Sequence, residues 1–296
     1  MKKQAWKGVT GGNVWGQKAL LVLFRVTGIT AGYALMATAV PFYMLFHRQG
    51  YLSIYRYFRV HFRCAPFRAF LKTCRNHFIF GQCLLDRFFL YAGRRGFFSL
   101  EITGNELFEE LAEGEKGFII AGSHVGNFEL CGYLLQQHRK HIHCLVYGGE
   151  TRVIMENRRK ILQKNHVSMI PVADDLSHVF AVGNALSHGD AVCIPCDRTP
   201  ANVKSTVLCR FLEGKAEFPL GAFSLAALFD VPVLAIFVMK ESVSKYHVYV
   251  RSISGDATDV SGREKAVKYA ETFAKELENT VKMYPEQWFN YYAFFA

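Results

Sequence analysis

His124 and Glu129 stand five residues apart in the stretch Gly122-Ser123-His124-Val125-Gly126-Asn127-Phe128-Glu129. An imidazole can take a proton from a hydroxyl or an amine. A carboxylate held against it fixes its tautomer and stabilises the imidazolium that forms. No Ser or Cys nucleophile is needed when the attacking group belongs to the substrate. The pair also has a plain structural explanation. Glu129 can be a first-turn carboxylate favoured by the helix dipole, with His124 a satisfied loop residue. Spacing alone leaves both open.

The elements around the pair can be read from periodicity. An apolar run, Gly117 to Ala121, precedes it, and Leu130-Cys131-Gly132-Tyr133-Leu134-Leu135 follows. That pattern predicts a buried strand, a turn and a helix start. From about residue 96 the chain alternates. Strands are expected at Phe118–Ala121, Ile142–Tyr147, Ser168–Val172, Ala191–Pro195, Val233–Met239 and His247–Ser252. Helices are expected at Asn105–Ala112, Glu129–Gln137, Thr151–Asn165, Leu176–Ser187, Pro219–Phe229 and Arg263–Met283. Such alternation predicts an α/β fold, with a central, mostly parallel sheet flanked by helices. Ligands in such folds bind beyond the carboxyl ends of the strands, where His124 would sit.

Three further blocks carry polar residues at useful places. Asp197-Arg198 follows the apolar run Ala191–Pro195, at the same kind of strand end as His124. An Arg there can pair with a phosphate or carboxylate, oriented by Asp197. The block Phe211 to Gly221 puts a Gly214 turn and Lys215 ahead of an apolar helix, with Pro219 suited to its first turn. Val231-Pro232-Val233-Leu234 marks a strand start. Cys193-Ile194-Pro195-Cys196 has the spacing of a redox pair. It lacks a second such pair and a thioredoxin-like beginning, so packing is the better reading. His138, His141 and His143 read as a solvated loop. No metal and no cofactor are expected, because His124 lacks a second ligand at a recognised spacing.

The 296 residues suit one large domain or two smaller ones. Hydrophobic residues make up 51% and charged residues 20%, which excludes both a disordered chain and a polytopic membrane protein. The 26 phenylalanines point to contact with lipid or a large apolar ligand. Net charge is +10 and uneven: residues 1–46 carry five basic side chains and no acid, and residues 47–95 carry ten against Asp86 alone. The remainder is acidic overall. Such a basic, aromatic segment can face nucleic acid or an anionic membrane.

The apolar run Val26 to Phe46 decides for the membrane. It holds no Asp, Glu, Lys, Arg or His. At about 1.5 Å per residue it is long enough for the ~30 Å hydrocarbon core. Gly28, Gly32 and Pro41 interrupt it, so a tilted or interfacial helix stays open beside a true span. A cleaved signal peptide, with Ala37-Thr38-Ala39 as its cleavage site, is a further alternative. The basic stretch after the run favours a retained anchor with that side in the cytoplasm, and Trp6 and Trp15 suit the interface. Residues 51–92 read as helices. Tyr51, Tyr55, Phe58 and Phe62 recur at helical spacing, with Arg56, Arg59 and Arg63 on a basic side. That face can meet headgroups, or pack as a core helix with solvated arginines. The expected division is a membrane-anchoring segment, 1–50, and an α/β domain, 51–296, that includes a basic amphipathic helical arm, 51–95.

Taken in order, these blocks resemble the lysophospholipid acyltransferase superfamily, on the branch of the bacterial lipid A biosynthesis acyltransferases. The family mark H-x-x-x-x-D/E is matched by His124 and Glu129. Asp197-Arg198, Phe211 to Gly221, Val231-Pro232-Val233 and the terminal Pro285-Glu286-Gln287-Trp288-Phe289 follow in the family's order. Leu85-Asp86-Arg87, Cys196-Asp197-Arg198 and Trp288-Phe289-Asn290-Tyr291 are similar to acyltransferases of aryl-polyene and flexirubin pigment clusters. The resemblance implies a glycerol-phosphate-acyltransferase-like fold on the cytoplasmic face of the bacterial inner membrane. It implies transfer of an acyl chain from a thioester, with acyl carrier protein favoured over coenzyme A, to a hydroxyl or amine of a lipid or glycolipid. His124 would be the base and Glu129 its orienting carboxylate. Backbone amides near Gly122–Asn127 would stabilise the oxyanion. Asn127 would add a donor or brace the turn, and Asp197, Arg198, Gly214 and Lys215 would bind substrate. One departure bears on the acceptor. Lipid A enzymes usually carry a basic residue soon after the terminal Trp, and here Asn290-Tyr291-Tyr292 follows. A lipid A secondary acyltransferase proper remains an alternative. A non-enzymatic, basic, membrane-associated assembly factor is the rival from another class. No nucleic-acid module pattern supports a nucleic-acid binder.

Overall fold

The computed structural model describes residues 14–91, 93–130, 140–147, 159, 167–172, 175, 177–199, 203, 205–255 and 260–295. The expected helix Thr151–Asn165 apart from Arg159, and the expected helix Glu129–Gln137 beyond Leu130, lie outside these residues, as do Trp6, Cys131 and His138. The described helices are α1 (Val14–Phe46), α2 (Arg48–Val60), α3 (Pro66–Tyr91), α4 (Asn105–Glu113), α5 (Ser177–Ser187), α6 (Gly221–Phe229) and α7 (Gly262–Met283). The strands are β1 (Ser99–Thr103), β2 (Phe118–Gly122), β3 (Ile142–Tyr147), β4 (Val167–Val172), β5 (Ala191–Pro195), β6 (Thr206–Phe211), β7 (Gly214–Pro219), β8 (Val233–Lys240) and β9 (Lys245–Ser252).

Seven strands form one sheet in the order β1-β9-β8-β2-β5-β3-β4. All neighbours are parallel except β8 and β9, which form an antiparallel pair. β2 and β8 are buried along their whole length, as continuous apolar runs in a covered parallel sheet must be. Alternate side chains of β2 feed two cores. Ile119 and Ala121 join α2, α6 and α7 on one face, and Phe118 and Ile120 join α1, α3 and α4 on the other. The α/β architecture expected from the alternation is therefore present. One block differs. Residues 211–219 do not lead into a helix with Pro219 in its first turn. Pro219 ends β7 and pairs with Thr206 in a separate two-stranded sheet, and α6 begins at Gly221. Buried Cys209, Phe211, Ala216 and Phe218 alternate with outward residues, which is the period of a hairpin.

The N-terminal third is integral to the domain. α2 buries Ile54, Tyr57 and Phe58 and leaves Arg56 and Arg59 outside, so the core reading of this amphipathic face holds. Tyr57 donates to the Pro285 carbonyl, 3.1 Å away. α1 starts well before Val26 and is kinked at Gly28, where φ is 73°. Its Gly28–Phe46 portion is long and apolar enough to cross a membrane. Ile29, Tyr33, Val40 and Met44 are nonetheless buried, while Leu35, Phe42, Leu45 and Phe46 are exposed.

A buried charge cluster locks α1 and α3 to the sheet. Lys240, at the end of β8, places Nζ 2.6 Å from Oδ2 of Asp86 on α3, and neither side chain is more than 5% exposed. The hydroxyls of Tyr33 on α1 and Tyr246 on β9 both donate to the same carboxylate. Burial pushes the Asp86 carboxyl up, and Lys240 and the two hydroxyls oppose that rise. Removing one partner of such a pair strands a buried charge, which costs about 3–5 kcal/mol. Asp86→Ala should therefore lose stability of about that order in chemical denaturation of the purified protein. Asp86→Leu combined with Lys240→Met should recover most of it. A stability loss under about 1 kcal/mol in Asp86→Ala would contradict this role.

Candidate active site

Two strand ends meet through register. β2 and β5 pair in parallel, Phe118 opposite Ala191 and Gly122 opposite Pro195. The Cys196 amide extends the ladder by donating to the Gly122 carbonyl, 2.9 Å away. Two residues beyond each strand stand His124 and Asp197. The same offset on paired strands places them side by side. The His124 amide donates to Asp197 Oδ2 at 2.7 Å, and His124 Nδ1 lies 2.8 Å from Oδ1. A carboxylate only accepts, so Nδ1 carries the hydrogen and Nε2 keeps its lone pair. Asp197 is buried at 2% side-chain exposure, while the imidazole is 19% exposed. Phe128 stands edge-on to it at 5.3 Å.

The charge state of Asp197 follows from its neighbours. Burial alone would raise its carboxyl, but His124 and the Arg198 guanidinium outweigh burial and hold it below the usual carboxylate range. Its contribution to stability is therefore complete above the ordinary carboxylate pKa of about 3.9 and is lost as pH falls below that.

The loop carrying His124 is fixed on all sides. The Gly126 amide donates to the Gln287 carbonyl at 2.8 Å, and the Phe289 amide donates to the His124 carbonyl at 3.0 Å. Val125 thus lies antiparallel to Trp288, and the chain's terminal segment joins the loop as a short strand. The Asn127 amide donates to the Val238 carbonyl at 2.7 Å. Asn127 Nδ2 donates to the Cys83 carbonyl and the Tyr246 hydroxyl, both at 3.1 Å. The side chain therefore braces the turn, the second of the two roles expected for it. The amides of His124, Gly126 and Asn127 are all committed inside the protein. The oxyanion role expected of this stretch does not fall to those three.

The other expected site residues divide. Glu129 lies in the 3-10 turn Phe128–Leu130, one turn past His124, and its side chain is outside the described structure. Arg198 Nη2 donates to the Phe289 carbonyl at 2.8 Å, and its guanidinium lies 5.6 Å from the Tyr292 ring centre. It ties the Asp197 loop to the terminal segment. Gly214 opens β7, and a Cβ there would come within 3.2 Å of the Phe295 ring. Lys215 points outward from the same strand. Among the described residues no contact joins either to His124. Asp197 is the partner of His124, where the sequence pointed to Arg198 as the group that Asp197 orients. The signal for it was its place two residues past an apolar strand, like His124. His143 is no loop residue: it sits in β3 and reaches Asp190 at 3.0 Å, while His141 reaches Ser168 at 2.6 Å. Cys196 is buried, and its thiol donates to the Ile194 carbonyl.

Gly126 is the least replaceable position in the loop. Its φ is +62°, and a Cβ would fall 2.2 Å from the Val238 carbonyl oxygen. Gly126→Ala should force the loop away from β8 and break the Asn127 and Gln287 bonds. Loss of activity with a lowered melting temperature is the expected result. A variant with native activity would show that the loop tolerates the shift.

A sequence profile described as bacterial lipid A biosynthesis acyltransferase matches residues 96–292. No curated protein matches the chain. The matched region takes in the whole sheet, both strand ends that meet at His124 and the terminal Trp288 segment, and leaves α1–α3 outside. The chain belongs to the bacterial lipid A biosynthesis acyltransferase family and is an acyltransferase of lipid biosynthesis.

Proposed function

We propose that the protein moves an acyl chain from a thioester, carried by acyl carrier protein, to a hydroxyl or amine of a lipid or glycolipid, with His124 as general base. The observation that carries this reading is the 2.8 Å contact between His124 Nδ1 and buried Asp197, which leaves Nε2 as the basic nitrogen. His124 Nε2 takes the proton from the acceptor. The freed oxygen or nitrogen attacks the thioester carbonyl, and a new C–O or C–N bond forms. The tetrahedral intermediate collapses, the C–S bond breaks, and His124 gives its proton to the departing sulfur, which leaves as the thiol and regenerates the base. Asp197 and Glu129 are the carboxylates that orient the imidazole and stabilise its cation. Gly214 and Lys215 belong to the substrate side, whereas Asn127 braces the turn and Arg198 acts chiefly by holding the terminal segment in place.

The residues after the terminal Trp favour another lipid acceptor, or a polyene product, over lipid A. Where lipid A enzymes carry a basic residue after the terminal Trp, Asn290 is buried and the Tyr291 hydroxyl donates to Asn76. An assembly factor without catalysis has no support in the family.

The protein works on the cytoplasmic face of the inner membrane. Residues 1–50 anchor it, and 51–296 carry the chemistry. α1 dips into one leaflet through Leu35, Phe42, Leu45 and Phe46, beside exposed Phe67, Phe70 and Leu71 of α3. Its opposite face is occupied by protein, which favours immersion over crossing. The exposed arginines of α2 and α3 meet anionic headgroups, each contributing about 1 kcal/mol near the surface.

Lipid mass spectrometry of a deletion strain complemented with variants tests the chemistry. His124→Ala should abolish the product, and its mass identifies acyl chain and acceptor. Asp197→Asn keeps an acceptor for the His124 amide but removes the charge; kcat should fall about 100- to 10,000-fold. Glu129→Gln apportions the orienting role between the two carboxylates. Product formed at wild-type rate by His124→Ala would overturn the mechanism, and an acylated lipid A would move the acceptor back to that class.

A further inference from the structure

An apolar groove of about 670 Å³ lies between α1, α2 and α3, away from the His124 site. Its walls include Val40 and Met44 of α1 and Phe70 and Phe78 of α3, and Arg48 and Arg75 line it as well. That volume falls within the roughly 300–1,000 Å³ of small-ligand sites. No Asp or Glu lines it. Arg75 reaches Glu286 at 3.7 Å, but Lys72 already holds that carboxylate. Arg48 has no acidic partner among the described residues. One carboxylate shared by Lys72 and Arg75, with Arg48 beside them, leaves the apolar trough with a net positive charge.

The groove is walled off from the reacting groups. His77, Phe80 and Tyr291 stand between, with His77 and Tyr291 rings 4.8 Å apart and Phe80 5.3 Å from Tyr291 and 5.1 Å from Phe289. Exposed Phe42, Leu45 and Phe46 lie on α1 and exposed Phe67 and Leu71 on α3, so a lipid can enter from the side.

We infer that this groove holds one anionic phospholipid of the bilayer as a resident ligand, its acyl chain in the trough and its phosphate between Arg48 and Arg75. A zwitterionic lipid offers the same chain but no net charge for the two arginines. The bound lipid fills the seam between α1 and α3 and fastens the helix face to the leaflet. This inference rests on the membrane-associated reading proposed above, but not on the role of His124.

The test is native mass spectrometry of the full chain in detergent, titrated with phosphatidylglycerol or with phosphatidylcholine of the same acyl chains. Wild type and His124→Ala should both retain one phosphatidylglycerol and should bind phosphatidylcholine at least about tenfold more weakly. Arg48→Ser with Arg75→Ser should weaken phosphatidylglycerol by about tenfold or more, and Arg48→Lys with Arg75→Lys should restore it. Val40→Trp, which fills the trough and leaves both arginines, should also lose the lipid. Equal retention of the two lipids, retention by the double Ser variant, or no adduct in wild type would each overturn the inference. Appearance of an acylated phosphatidylglycerol would overturn it too, because the occupant would then be the acceptor. Loss of transfer in His124→Ala with lipid retention intact separates the groove from the catalytic reading.

Discussion

Taking an ammonium and a carboxylate out of water costs several kcal/mol per ion unless their remaining hydrogen-bonding capacity is used. Asp86 meets that condition by accepting from Lys240, Tyr33 and Tyr246 at once. Four elements supply these groups: α3, β8, α1 and β9. None can move without stranding a buried polar atom. The cluster also reaches the His124 loop, because Tyr246 accepts from Asn127. A helix whose outer face is apolar is thereby held to the same end of the sheet that carries the His124 loop.

The loop depends on the same part of the molecule for its shape. Asn127 hangs from β8 through its amide and from α3 through the Cys83 carbonyl. On its other side, the terminal segment bonds to the His124 and Gly126 backbone. That segment is in turn clamped by α3, where Asn76 donates to the carbonyls of Glu286 and Trp288, and by Trp288, which packs against Tyr57 of α2 at 4.9 Å. The basic N-terminal helices therefore do two jobs. Their inner faces form the floor of the site, and their outer faces carry the charge and exposed apolar side chains suited to a membrane surface.

Asp197 shows why a site can be partly invisible along the chain. Its carboxylate is buried against an imidazole 73 positions earlier in sequence. The two are brought together by the parallel register of β2 and β5, which sets Gly122 opposite Pro195. A slip of one residue would place Asp197 beside Ser123 or Val125 and turn its side chain to the other face. The dyad is a property of strand pairing as much as of the motif.

What the amino-acid sequence determined by itself is local. Apolar runs bounded by turn residues specified β2, β3, β4, β5, β8 and β9 to within two residues at either end, and placed His124 just past a strand's carboxyl end. Charge counts marked the first third as the basic part, and the ordered motifs marked the acyltransferase family. The β6–β7 hairpin was missed because Pro219 also suits a helix start, and only pairing with Thr206 distinguishes the two. Strand order, the Asp197 partner, the bracing of Asn127 and the burial of Asp86 with Lys240 were decided by the tertiary structure alone. Each joins residues far apart in the chain, and each depends on which strands lie adjacent. Side-chain periodicity reports which face of an element is buried, but not what it is buried against.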